Sequence, residues 1–172
     1  MLVSSEELIS YQSLQMKHDG KYHHEILVLG TSGRMNHIAL HLMKYLATLS
    51  SLPVSDSTNK RAFIDSFIMT VSACNLLGIS LEKQVLSNEV VPYTSESFIE
   101  QYIIILGKIA KACEATDHQE DYPIRSTWNE SIRSFIDLLF HESTSRKVSL
   151  LEEASSRLAA VERKNPLNNI LQ

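Results

Sequence analysis

Residues 59–78 read NKRAFIDSFIMTVSACNLLG, and the fold turns on them. Phe63, Ile64, Phe67, Ile68, Met69, Val71, Leu76 and Leu77 recur at three and four positions and surround the helix axis almost completely. A helix that is apolar nearly all round belongs at the centre of a packed bundle. Thr58 or Ser57 is placed to open it, and Gly78 to close it as a C′ glycine. A single acid, Asp65, sits inside this run. A carboxylate among such neighbours is costly to bury unless it is paired, hydrogen-bonded or bound to an ion.

Working outward, the same periodicity recurs on both sides. On the N-terminal side, Gly33–Leu49 reads GRMNHIALHLMKYLATL, with Met35, Ile38, Leu42, Leu46 and Leu49 on one face of a helix over about 34–49. Before it, Ser4 and Glu7 have capping-box spacing for a first helix ending near Gly20, and a short helix over 22–29 stops at Gly30. On the other side, a short helix runs from Ser80 to about Asn88. After the Pro92 linker, a strongly apolar helix covers Ser95 to Glu114. The polar segment EATDHQEDYPIRS then reads as a loop. Thr127 and Glu130 have the spacing of a second capping box, opening a helix to about His141 with Trp128, Ile132, Phe135, Ile136 and Leu139 on one stripe. Ser149 and Glu152 repeat the device for a last helix, about 150–163, and the tail NPLNNILQ reads as frayed.

Five glycines and four prolines in 172 residues leave too few turns for a sheet, so the fold class is all-α. The organisation expected is a single domain: N-terminal helices over 1–30, a hairpin unit over 33–88 and a second over 95–163. LMKYLA, FID and SLEK in the first unit are echoed by LGKIAK, FID and SLLEE in the second. An internal duplication and two unrelated hairpins both account for this echo.

Composition narrows the function. Sixteen Lys and Arg against twenty Asp and Glu give a net charge of −4 with no basic cluster, which argues against a nucleic-acid partner. Cys74 and Cys113 lie in apolar segments without CxxC spacing and read as buried reduced thiols. MLVSSEELIS lacks the basic and apolar regions of a signal peptide, and no apolar run reaches the ~18 residues of a membrane span. The expectation is a cytoplasmic chain with no membrane partner.

Candidate chemistry gathers on the 34–49 helix and Asp65. His37 and His41 are four apart on one face, a spacing that can chelate one metal, and Asp65 would complete a two-His, one-carboxylate set. The same histidines fit the polar flank of an amphipathic helix. Arg34 and Lys44 are candidates for binding ligand phosphates, or for pairing with Asp65. His18, His23 and His24, near Asp19 and Glu25, read either as additional ligands or as a solvated corner.

Phe63–Val85 resembles the second long helix and following turn of the MazG-like all-α nucleoside triphosphate pyrophosphohydrolases. Asp65 and Leu77-Gly78-Ile79-Ser80-Leu81-Glu82 match that family's acidic-x-x-Asp helix and its turn. The resemblance covers about residues 33–88, with an echo over 97–163. It implies a four-helix-bundle core from two tandem hairpins, and hydrolysis of a nucleotide between its α and β phosphates, with Mg²⁺ or Mn²⁺ held by four carboxylates. The chain departs from the motif. Where the family has Glu-Glu-x-x-Glu it has Asn36-His37-Ile38-Ala39-Leu40, and Ala62 stands three residues before Asp65. A composite site using Asp65, Glu100 and Asp137 is one way to restore acids. The readings left open are a metal-dependent hydrolase of an NTP or related phosphoanhydride, with Asp65 as the surviving catalytic ligand, an inactive relative that binds a small phosphate ligand or forms a homo-oligomer, and a histidine-based metal protein.

Overall fold

The computed structural model describes residues 3–86 and 97–164. The Pro92 linker, the expected helix ends at Asn88 and Ser95, and the NPLNNILQ tail lie outside the described residues. The chain is all-α: the described residues form eight helices and no strand. They are α1 (Ser5–Tyr22), α2 (His24–Leu27), α3 (Thr31–Ser51), α4 (Ser57–Leu77), α5 (Leu81–Leu86), α6 (Phe98–Asp117), α7 (Ile124–Arg146) and α8 (Leu150–Lys164).

The central helix is α4, which buries Ala62, Phe63, Ile64, Phe67, Val71, Ala73, Cys74 and Leu77. Its buried hydroxyls bond back to the preceding turn: Ser66 Oγ donates to Ala62 O and Thr70 Oγ1 to Ser66 O, each at 2.8 Å. The α3–α4 and α6–α7 hairpins pack on each other through α3 against α6 and α4 against α7. Tyr102 of α6 sits at this junction. It is fully buried, its hydroxyl donates to Leu42 O of α3 at 3.0 Å and lies 3.0 Å from Ser66 Oγ of α4, and its ring meets Phe135 of α7 edge-on at 4.5 Å. Both cysteines are buried free thiols.

The short helices cross between the hairpins. α5 follows α4 but leans on α7, and α8 follows α7 but leans on α4. The N-terminal helix α1 packs on α4, α5 and α8. Its Gln12 clamps the turn after α4, donating to Ile79 O at 2.8 Å and accepting from Leu81 N–H at 2.9 Å. That clamp fixes where the last turn of α1 arrives.

Helix ends differ from expectation where capping decides. Ser4–Glu7 is a capping box, and Gly78 is the left-handed C-cap of α4 at φ 72°. Neither Thr58 nor Ser57 caps α4: Asp56 does, accepting from Thr58 N–H at 2.6 Å. The second capping box is Ser97–Glu100 at the start of α6, which makes Glu100 a cap rather than a site acid. Thr127 and Glu130 lie inside α7, which begins at Ile124 after Pro123. Thr127 N–H already donates to Pro123 O at 3.0 Å, so no orphan amide remains there for a box to satisfy. α1 passes through Gly20 to Tyr22, and α3 starts at Thr31.

Candidate functional site

A pocket of about 390 Å³ lies where α1, α2, α3, α4 and α8 converge, a size suited to a small molecule. α3 supplies Arg34, His37, His41 and Tyr45, spaced so that successive turns present them beside the core stripe of Ile38 and Leu42. α4 supplies Asp65, Ile68, Met69 and Ser72; α8 supplies Arg157, Leu158 and Val161. The end of α1 and its C-cap bring Gln15, His18, Asp19 and His23.

Of the five candidates on the 34–49 helix and at Asp65, four line one pocket, Asp65, Arg34, His37 and His41, and so do His18, Asp19, His23 and Glu25. Lys44 does not. Its ammonium lies over the Tyr45 ring, 4.7 Å from the centroid, and 3.5 Å from His41 Nδ1. Glu100 and Asp137 line no part of the pocket, so the composite of three acids is not brought together there. Asp137 instead accepts from Gln84 Nε2 of α5 at 3.0 Å.

Asp65 has the partner its surroundings demand, but from another helix than expected. Arg157 Nε of α8 donates to Oδ1 at 2.9 Å, and Arg61 Nε, one turn back on α4, lies 3.7 Å from Oδ2. The Asp65 side chain is 14% exposed and that of Arg157 25%. Arg34 and Lys44, the expected partners, make no ion pair with it. The physical reason is that α8 packs against α4 and delivers Arg157 to the carboxylate.

The rings of His37 and His41 on α3 meet at a tilt of 46°, with centroids 4.4 Å apart. His41 Nδ1 is 3.1 Å from the Tyr45 hydroxyl. The same nitrogen is 3.5 Å from Lys44 Nζ. Burial, then the Lys44 charge and His37, push His41 down to about 4, so the ring is neutral at pH 7. Burial, then His23, lowers His37 as well. Tyr45 is pushed up to about 12, by burial first and the Asp65 charge second, and keeps its proton.

His37, His41 and Asp65 do not bring their ligand atoms together. Among the described residues, two groups of three have ligand atoms all within 4.8 Å of one another: His18, Asp19 and His23, and the surface residues Glu114, His118 and Glu120. Four carboxylates for Mg²⁺ or Mn²⁺ are not assembled around Asp65 either. The matching positions hold Asn36, His37, a 71% exposed Leu40 and a buried Ala62, and Asp65 itself is committed to arginine. Such a donor set does not fit an ion that prefers hard oxygen ligands in octahedral array.

Arg157, Gln15 and Ser72 complete the site without having been singled out from sequence. Gln15 Nε2 and Ser72 Oγ donate to the two oxygens of Asp19 at 2.8 and 2.7 Å. Arg61, four residues before Asp65, was the one local signal of a paired acid. No family model, curated protein or solved structure matches the chain. No helix among the described residues is long and apolar enough to cross a membrane.

Proposed function

We propose that the chain is a MazG-like bundle of two hairpin units that binds a small phosphate-bearing ligand, such as a nucleotide, without Mg²⁺-dependent hydrolysis. The observation that carries this reading is the Asp65–Arg157 ion pair at the place where a carboxylate cluster would hold the metal. An acid neutralised by a guanidinium has little left to offer a divalent ion. Arg34 is the cation available to a ligand: it lines the pocket and its guanidinium makes no ion pair among the described residues. Ile68, Met69, Leu158 and Val161 give an apolar wall against which a base or similar ring can lie.

The crossed arrangement of short helices supports the tandem reading. Arg61 and Asp65 of α4 face α8, while Arg133 and Asp137 of α7 both contact Gln84 of α5. Arg-x-Phe-Ile-Asp thus occupies corresponding places in the two units.

The test is calorimetric titration with nucleoside mono- and triphosphates, together with assay of pyrophosphate release in Mg²⁺ or Mn²⁺. Binding without added metal, no release, and about a tenfold weakening in Arg34→Gln are expected, since a charge-assisted contact contributes on the order of 1.5 kcal/mol. Metal-dependent release of pyrophosphate would restore the hydrolase reading. No binding by any member would end the nucleotide reading.

A second reading, assembly as a homo-oligomer, has its own support. Leu40 and Met43 of α3 and Ile103 and Ile104 of α6 are 45–71% exposed, and they flank in sequence the Leu42–Tyr102 contact that joins the two helices. Apolar side chains gathered on neighbouring helices are what a helical interface uses.

A further inference from the structure

We infer that His18, Asp19 and His23 are the ligands of a divalent transition-metal site that opens into the α1–α3–α4–α8 pocket. The ligands come from the last turn of α1 and its C-cap, outside both hairpin units, so the inference stands apart from the MazG-like reading.

Three observations converge on these residues. The first is geometric. The three ligand atoms lie within 4.8 Å of one another, and ligands about 2.0–2.2 Å from an ion stand about 3–4 Å apart, so small side-chain rotations close the set. The second is an orphaned donor and acceptor. His18 is 4% exposed, and both of its ring nitrogens are buried with no hydrogen-bond partner. A buried polar group left unmatched is destabilising, and a metal ion would satisfy one nitrogen directly. The rings of Tyr22 and His23, 4.8 and 5.7 Å from that of His18 between centroids, hold it in place without pairing it.

The third is the support behind the carboxylate. Asp19 receives Gln15 on one oxygen and Ser72 on the other, while each oxygen keeps a lone pair. Outer hydrogen bonds of this kind orient metal ligands in general.

The donor set names the metal class. Two imidazoles and one carboxylate suit Zn²⁺, Fe²⁺, Co²⁺ or Ni²⁺, and Mg²⁺ poorly. Three protein ligands leave further positions, and these face the pocket that Arg34 and His37 also line. A ligand phosphate there would meet the ion and Arg34 together.

The experiment uses the full chain purified without a histidine tag, stripped with chelator and titrated with Zn²⁺ and Co²⁺ alone. Expected are one tight equivalent per chain, visible Co²⁺ d–d absorption of low coordination number and a raised Tm with Zn²⁺. His23→Ala, at an exposed position that leaves folding intact, should weaken binding at least tenfold while keeping the metal-free Tm. His18→Leu should lose the Co²⁺ spectrum, and His118→Ala, in the exposed acidic group, should change nothing. Absence of saturable binding, or binding indifferent to His23→Ala, or binding abolished by His118→Ala, would overturn the assignment. Because no nucleotide is present, failure here leaves the anion-binding reading standing. Failure of nucleotide to bind the metal-loaded chain leaves the metal site standing.

Discussion

At the scale of single residues, Asp65 and His41 carry the two most direct consequences. The Asp65–Arg157 pair is partly buried, between the exposed pairs that contribute under about 1 kcal/mol and the buried ones whose breaking costs about 3–5 kcal/mol. A double-mutant cycle with Asp65→Asn and Arg157→Met should give a coupling of about 1–2 kcal/mol by chemical denaturation. A coupling near zero would mean that the carboxylate is held by something else. His41 sets a pH dependence. Its folded-state pKa lies near 4 against an ordinary value of 6.5, so between those values the unfolded chain binds the proton that the folded chain refuses. Stability therefore falls as pH drops through that window, and His18 and His37, lowered in the same direction, add to it. Thermal melts should give a lower Tm at pH 5.0 than at pH 7.5, and His41→Gln should narrow the gap. The sequence made plain that Asp65 needed a partner, because its neighbours are apolar. It could not show which, because Arg157 lies 92 positions away and reaches Asp65 only through the crossing of two helices.

At the scale of elements, the helix ends are the informative places. Ser97→Ala should cost about 1 kcal/mol, since it removes an oxygen that satisfies the Glu100 amide at the start of α6. Lys147 closes α7 at φ 55°, a conformation in which a Cβ is strained. Lys147→Gly should therefore stabilise by about 0.5 kcal/mol, once the greater freedom of glycine in the unfolded chain is set against the relief. Urea denaturation of both variants checks the pair, and the opposite sign at Lys147 would contradict the backbone argument. Gly78 was legible because glycine alone follows the last apolar turn of α4. Thr127–Glu130 misled because Ser/Thr-x-x-Glu spacing also occurs inside helices, and only the path of the preceding backbone distinguishes the two. Pro123 fixes that path. The segment expected as a loop shrinks accordingly to residues 118–123, as α6 runs on to Asp117.

At the scale of the whole molecule, the scarcity of glycine and proline together with three-four periodicity made the all-α class readable. The pairing of LMKYLA, FID and SLEK with their echoes is compatible with a duplication and with two unrelated hairpins alike. What the sequence withheld was the convergence of α1 and α8 on the α3–α4 face, which depends on the Gln12 clamp and the α8 crossing, neither of which leaves a local pattern. Tyr102 ties three helices at the hairpin junction, so Tyr102→Phe should cost about 1–2 kcal/mol by leaving the Leu42 carbonyl and Ser66 hydroxyl short of a partner. If α3 and α6 form an interface between copies, Ile104→Lys should shift the mass measured by light scattering to that of a 19.4 kDa monomer.

The central claim is that Asp65 is the counter-ion of Arg157 and not a magnesium ligand, and calorimetric titration of Asp65→Asn with a nucleoside triphosphate, in chelator and in Mg²⁺, tests it most directly. Removing the carboxylate frees the Arg157 guanidinium at the pocket wall. Affinity equal to that of the parent chain or several-fold tighter, and indifferent to Mg²⁺, is the expected result. A loss of binding in the variant, with Mg²⁺ required by the parent chain, would contradict it.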